Sequence, residues 1–239
     1  PAPPTAPVPV AKPAPPPTAE QAADAALAAV AAKDATALKA LAAKDDPDPW
    51  LVADELIRRG EFDVADAYAK AAPRVDVERL PAYVASRRGK PDDAARRARL
   101  AAAGAALQAG KLAGALDRIG FAESGPIDDV VGVRLAFCRG IALRSLTQLD
   151  ASAAAFLAAG EATERFGWLA RASRAFGESG VSAYTGSAFV AARSAWERKL
   201  SVSERREDKA GAADTLGNIG IAYDVLGDYA KALATLERA

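Results

Sequence analysis

The sequence predicts an all-α protein, an α-solenoid of antiparallel helical hairpins behind a disordered proline-rich tail, and three observations carry that prediction. About half of the 239 residues are apolar, yet only 6% are aromatic and much of the remainder is Ala. Ala is the best helix former and buries little area per side chain, which favours many thin helix–helix contacts over a few aromatic layers. A shift of 40 residues brings Gly140, Gly180 and Gly220 into register. The same shift aligns Leu149, Phe189 and Tyr229, then Ser152, Ala192 and Ala232, then Phe156, Trp196 and Leu236. Beyond residue 18, prolines fall only at positions 47, 49, 73, 81, 91 and 126, where helical patterns start or stop.

The tail, residues 1–18, reads PAPPTAPVPVAKPAPPPT. Prolines this dense remove backbone donors and fix φ near the polyproline II value, so the segment is expected to be an extended spacer and, on composition, a tether rather than a ligand for a proline-binding groove. Thr18 with Gln21 is a capping-box pattern, and the first helix is expected from there. Residues 19–132 read as hairpins without a clear repeat. DPWLVADELIRRGEFDVADAYAKAAP predicts two short antiparallel helices hinged at Gly60, and the following stretch adds hinges near Gly89 and Gly110.

Residues 133–239 hold the 40-residue units, the last incomplete at its C-terminal end. In that last unit Leu216, Gly220 and Tyr223 share one helical face, and Ala232, Leu236 and Ala239 share another. A tight turn at Gly227 and Asp228 then sets Gly220 opposite Ala232, so that the axes approach to about 8 Å. Tyr223, Tyr229 and Leu236 are expected to fill the space beside that contact. The contact offsets the roughly 1 kcal/mol that a mid-helix Gly costs.

Charge and composition exclude several functions. Lys plus Arg and Asp plus Glu both number 31, which leaves no net field for nucleic acid or an anionic membrane. No run reaches the roughly 20 apolar residues of a membrane span, and no signal-peptide pattern stands at the N-terminus. A cytoplasmic location is therefore favoured. Because the chain starts at Pro1 and has no Met, it reads as a processed form or fragment, and an anchored or exported form follows if an upstream signal was removed.

Zero histidines remove Ser–His and Cys–His nucleophile pairs and imidazole metal sites. The single cysteine, Cys138, cannot form an intramolecular disulfide, and beside Phe137 in a helix it reads as a small packed side chain, not a nucleophile. GAALQAGKL, Gly104 to Leu112, has five residues between glycines where a phosphate loop needs four, and Leu112 stands where Ser or Thr should. KDDPDP lacks the spaced oxygens of a calcium loop and suits a helix start. The basic run Arg87, Arg88, Lys90, Arg96, Arg97 and Arg99, interrupted by Asp92 and Asp93, reads as a solvated helical face. No catalytic residue, cofactor or metal is expected.

The stretch LGNIGIAYDVLGDYAKALATLERA resembles a tetratricopeptide repeat (TPR). The matching positions are Leu216, Ile219, Gly220, Tyr223, Gly227, Tyr229, Ala232, Leu236 and Ala239. The unit over residues 173–212 matches more loosely through Phe176, Gly180, Phe189, Ala192 and Trp196 and departs at Lys199; the unit over 133–172 is looser again. The 40-residue spacing is similar to that of kinesin light chains and of bacterial proteins carrying a caspase-like CHAT domain after such an array. The resemblance implies a right-handed solenoid whose concave surface is lined by the first helix of each unit.

Carried over position by position, the groove then comprises Arg134, Phe137, Cys138, Ile141, Arg144 and Ser145 in one unit. The next contributes Arg174, Glu178, Val181, Tyr184 and Thr185, and the last Asp214, Asn218, Ile221 and Asp224. Such a surface suits a protein or peptide partner with acidic and apolar groups, the arginines offering forked carboxylate contacts. The paired asparagines and lysines of a chaperone-tail clamp are missing, since only Asn218 fits. The expected function is a non-catalytic protein-interaction scaffold. The alternative is the regulatory region of a CHAT protease, whose catalytic dyad then lies in a covalently linked domain beyond Ala239. The stop at Ala239 leaves the last helix without a capping helix, and a frayed or sticky final hairpin is expected.

Overall fold

From residue 145 onward the chain reverses direction every 20 residues, each time at a residue in the left-handed region. These are Thr147 (φ 59°), Gly167 (87°), Ser187 (63°), Glu207 (57°) and Gly227 (79°). The next N–H at each turn donates to the carbonyl five residues back: Gln148 to Leu143, Trp168 to Thr163, Ala188 to Ala183, Asp208 to Ser203, and Asp228 to Tyr223, at 2.8–3.0 Å. That is the Schellman closure, which satisfies carbonyls a helix end leaves open. Lys33, Gly60 and Gly110 make the same closure in the N-terminal half.

A left-handed conformation costs a side-chain-bearing residue about 1–2 kcal/mol, and Gly gives back part of the gain through unfolded-state entropy. Ser187→Gly and Glu207→Gly are therefore each expected to stabilise the fold by about 0.5–1 kcal/mol. A lower urea midpoint for both would contradict this reading of the turns.

In this computed structural model, which describes residues 15–44, 46–72, 77–90, 92–119 and 127–239, the described residues form helices and no strand. The first seven helices are α1 (Ala19–Ala31), α2 (Ala35–Ala42), α3 (Pro49–Arg58), α4 (Phe62–Ala71), α5 (Leu80–Arg87), α6 (Ala94–Gln108) and α7 (Leu112–Ile119). They are followed by α8 (Val130–Ser145), α9 (Leu149–Phe166), α10 (Leu169–Thr185), α11 (Phe189–Arg205), α12 (Lys209–Val225) and α13 (Tyr229–Leu236). The all-α solenoid of antiparallel hairpins is thus the observed architecture. The tail expected over residues 1–18 lies outside the described residues as far as residue 14, as do Asp45, Pro73, Pro91 and Pro126. At its end the capping box is formed: Gln21 N–H donates to Thr18 Oγ1 at 3.3 Å, and Thr18 N–H to Gln21 Oε1 at 2.9 Å.

The glycine columns are explained by rings. A Cβ on Gly140 would stand 2.7 Å from the Phe156 ring, one on Gly160 2.5 Å from Phe176, and one on Gly180 on top of the Trp196 indole. Each ring lies 16 residues after its glycine, and so does Leu236 after Gly220, where an added Cβ would lie 2.6 Å from Leu236 Cγ. The Gly160 and Phe176 pair joins α9 to α10, across the seam between hairpins, so one device builds both kinds of seam. The last unit differs from expectation. Leu236, not Ala232, sits on Gly220, and the Ala232 carbonyl is 3.5 Å away. Tyr229, the first residue of α13, is 70% exposed and does not fill the space beside that contact.

First and second helices form two layers. Arg144 of α8 pairs with Glu178 of α10 at 2.5 Å, in the first-helix layer. In the second-helix layer Arg198 of α11 pairs with Glu161 at 2.6 Å and Glu164 at 3.0 Å, both on α9, and Arg205 joins Glu164 at 2.7 Å.

The N-terminal helices dock on this array. One buried apolar core extends from Ala22 in α1 to Ala175 in α10. Its centre is aromatic: Trp50 stacks on Trp168 at 5.6 Å, Tyr83 tilts against Trp50 at 5.2 Å, and Phe166 stands 6.1 Å from Tyr83. Trp168 Nε1 donates to Asp48 Oδ2 at 3.0 Å, while Asp48 Oδ1 caps α3 by accepting from Trp50 N–H at 3.0 Å.

Part of the basic run departs from its expected solvated face. Arg97 forks onto buried Asp54 at 2.7 and 3.1 Å and reaches Asp92 at 2.6 Å. Arg96 lies 3.1 Å and Arg87 3.6 Å from buried Asp129, whose carboxylate also caps α8 through Gly132 N–H at 2.7 Å. Carboxylates buried in the neighbouring helices require these partners, so Arg87, Arg96 and Arg97 clamp α3, α5, α6 and α8 together, whereas Arg88 and Lys90 are exposed as expected.

Candidate interaction surface

In each first helix the residue after the seam glycine, Gly140, Gly180 or Gly220, is turned about 100° away from the seam and toward solvent. Ile141 is 37%, Val181 44% and Ile221 48% exposed, so large apolar side chains recur every 40 residues on one layer. Seven residues earlier, two helical turns along the same face, stand Arg134, Arg174 and Asp214, all exposed.

The other sequence-derived positions divide. Arg144 is engaged with Glu178 and lies 5.5 Å over the Phe156 ring, so its charge is committed within the fold. Tyr184 packs 5.2 Å from Phe189 and 5.7 Å from Trp196, a half-buried ring held against the core. Phe137 is buried edge-on against Phe156 at 5.5 Å and forms floor, not rim. Glu178 and Asn218 are half-buried, and Asp224 is exposed. Tyr223 of the seam lies beneath two cations, Arg193 at 5.0 Å and Lys231 at 5.6 Å.

Arg134 and Arg174 come together in an open groove of about 540 Å³ between α6, α8 and α10. Leu100 and Gly104 of α6 form one wall, Phe137, Cys138 and Ile141 of α8 the floor, and Arg171 and Arg174 of α10 the other wall. A second hollow of about 480 Å³ shares Arg171 and Arg174 and continues to Thr18, Asp48 and Leu51. Sequence reasoning missed both the α6 wall and Arg171. For Arg171 a signal existed, because it stands one helical turn before Arg174 on the same face.

Arg134, Arg171 and Arg174 have no carboxylate within ion-pair distance among the described residues. The Arg171 guanidinium lies 5.0 Å over both Phe137 and Trp168. Burial lowers its pKa; Asp48 pulls the other way, and Arg174 and Arg134 push it down further. Burial also raises the Cys138 thiol above its ordinary value, partly countered by Arg134. A raised thiol pKa means less thiolate at any given pH, so iodoacetamide is expected to alkylate Cys138 several-fold more slowly at pH 8 than it alkylates the urea-unfolded chain. Equal rates would contradict this. Among the described residues no cluster of three His, Cys, Asp or Glu could hold a metal ion, and no helix is long and apolar enough to cross a membrane.

Fold and surface together define a class, a TPR-like α-solenoid with an apolar stripe and with charges that have no ion pair among the described residues on its first-helix layer. Among solved structures the chain is similar to BtubC (BKLC) from P. vanneervenii, at 20% identity over 92% of this chain and 87% of that one, with a TM-score of 0.51. It is also similar to MamA at 16% identity, over 78% and 91% of the two chains, with a TM-score of 0.47. The first likeness shows a shared fold. No protein-family model and no curated protein sequence matches the chain.

Proposed function

We propose that this chain is a non-catalytic scaffold that holds a segment of a protein partner along the first-helix layer. The observation that carries the reading is the column Ile141, Val181 and Ile221, three exposed aliphatic side chains repeated at the residue that follows the seam glycine of α8, α10 and α12. Exposed apolar side chains in line, rimmed by charge, are the signature of a docking surface. The absence of histidine from the sequence and the raised Cys138 pKa support the non-catalytic part.

The test is the triple variant Ile141→Asp, Val181→Asp, Ile221→Asp, compared with wild type as affinity bait in cells that make the protein, with circular dichroism confirming the fold. Loss of the partners retained by wild type is expected. Retention of the same partners at the same level would sink the assignment of this face. The alternative, a regulatory region attached to a caspase-like CHAT domain, rests on the resemblance of the 40-residue units to the arrays of such proteins, and its test is whether the reading frame continues into such a domain.

A further inference from the structure

We infer that the bound segment is charge-ordered, acidic at the end held by the groove between α6, α8 and α10, apolar along the Ile141, Val181 and Ile221 column, and basic at the end that reaches α12. This rests on the docking reading above and adds the chemistry of the occupant. Three observations carry it. Arg134, Arg171 and Arg174 converge on the groove between α6, α8 and α10, free of carboxylate partners among the described residues. The matching column on α12 carries the opposite sign, since Asp214 stands where Arg134 and Arg174 stand, and Asp224 where Arg144 stands. Both aspartates are exposed and likewise unpaired among the described residues.

Several other charges around these helices are closed within the fold. Arg97 with Asp54, Arg198 with Glu161 and Glu164, and Arg144 with Glu178 are all closed at 3.1 Å or less. At the column positions of the first-helix layer the open groups are sorted by sign, Arg134, Arg171 and Arg174 at one end and Asp214 and Asp224 at the other, and a complementary partner gains in orientation and specificity from that order. Two steps between neighbouring first helices cover about 20 Å, which an apolar stretch of about six extended residues spans. Carboxylates suit the basic end better than one compact polyanion, because the guanidinium groups come from two helices along an open groove, and each planar fork takes one carboxylate.

The probes are two fluorescein-labelled peptides of identical composition, titrated by anisotropy into the full chain. One carries three Glu, then Ile-Ala-Val-Ala-Ile-Ala, then three Lys; the other has the same centre with Glu and Lys alternating at both ends. The block peptide is expected to bind about tenfold tighter, with the difference shrinking at high salt. Arg134→Gln, Arg174→Gln and, separately, Asp214→Asn, Asp224→Asn are each expected to remove most of that preference. Reversing all four signs is expected to restore it.

Equal binding of the two peptides, or block binding indifferent to the arginine variant, overturns the inference. So does tighter binding of single-stranded DNA of similar length. The triple aspartate variant of the apolar stripe separates the two readings. If it loses both peptides while wild type binds them equally, the charge order is wrong and the docking face stands. If it binds both like wild type, the docking face fails as well.

Discussion

Gly180→Ala is expected to destabilise the array by about 1–3 kcal/mol, although Ala is normally the better helix residue by about 1 kcal/mol. The added methyl would occupy space held by the Trp196 indole, and that ring is itself buried against Tyr184 at 5.7 Å with nowhere to withdraw. Gly217→Ala provides the opposite sign in the same array. Nothing lies within 4 Å of its Cβ position, so the propensity gain stands alone and about 1 kcal/mol of stabilisation is expected. Gly220→Ala falls between them, because Leu236 on its half-exposed helix can give way. Urea midpoints followed by circular dichroism read all three. A neutral or stabilising Gly180→Ala would remove ring-on-glycine packing as the reason for the repeat columns.

Trp168→Ala is expected to cost about 3–5 kcal/mol, the range for truncating a large buried aromatic. The indole is buried, stacks on Trp50 at 5.6 Å and donates to Asp48 at 3.0 Å, so its loss opens a cavity where the N-terminal helices meet the array. The effect is expected to be unequal along the chain, with amide exchange rising most in α1 to α5 and least in α12 and α13. Trp168→Phe keeps a ring and loses the hydrogen bond, so a smaller cost is expected, about 1.5–3 kcal/mol of it from the lost bond to the Asp48 carboxylate. A uniform exchange increase across all helices would contradict the docking of the N-terminal helices through this cluster.

Much of this fold was legible in the chain because glycine and ring residues at a fixed interval leave few ways to pack. Gly140 with Phe156 and Gly180 with Trp196 are visible as columns before any contact is known. The turns were only half visible: Gly167 and Gly227 announce themselves, but Thr147, Ser187 and Glu207 hold the same conformation at no marked residue, and only the 20-residue spacing connects them. The basic run was misjudged because local spacing shows neither Asp54, 43 residues before Arg97, nor Asp129, 33 residues after Arg96. The groove shows the same limit. Its first-helix wall follows from the repeat, whereas α6 belongs to a region without repeat columns and enters the site only through tertiary packing. Arg144 and Tyr184, alike in position to exposed neighbours, are withdrawn by Glu178 and Trp196, partners a position-by-position transfer cannot see.

The central claim, that the first-helix layer is the face that holds a partner, is tested most directly by site-specific photocrosslinking in cells that make the protein. Benzoylphenylalanine placed at position 181, in the apolar column of α10, is expected to trap a partner protein on irradiation. The same group at position 190, exposed on α11 in the second-helix layer, is expected to trap none. Adducts at 190 without adducts at 181 would contradict the account.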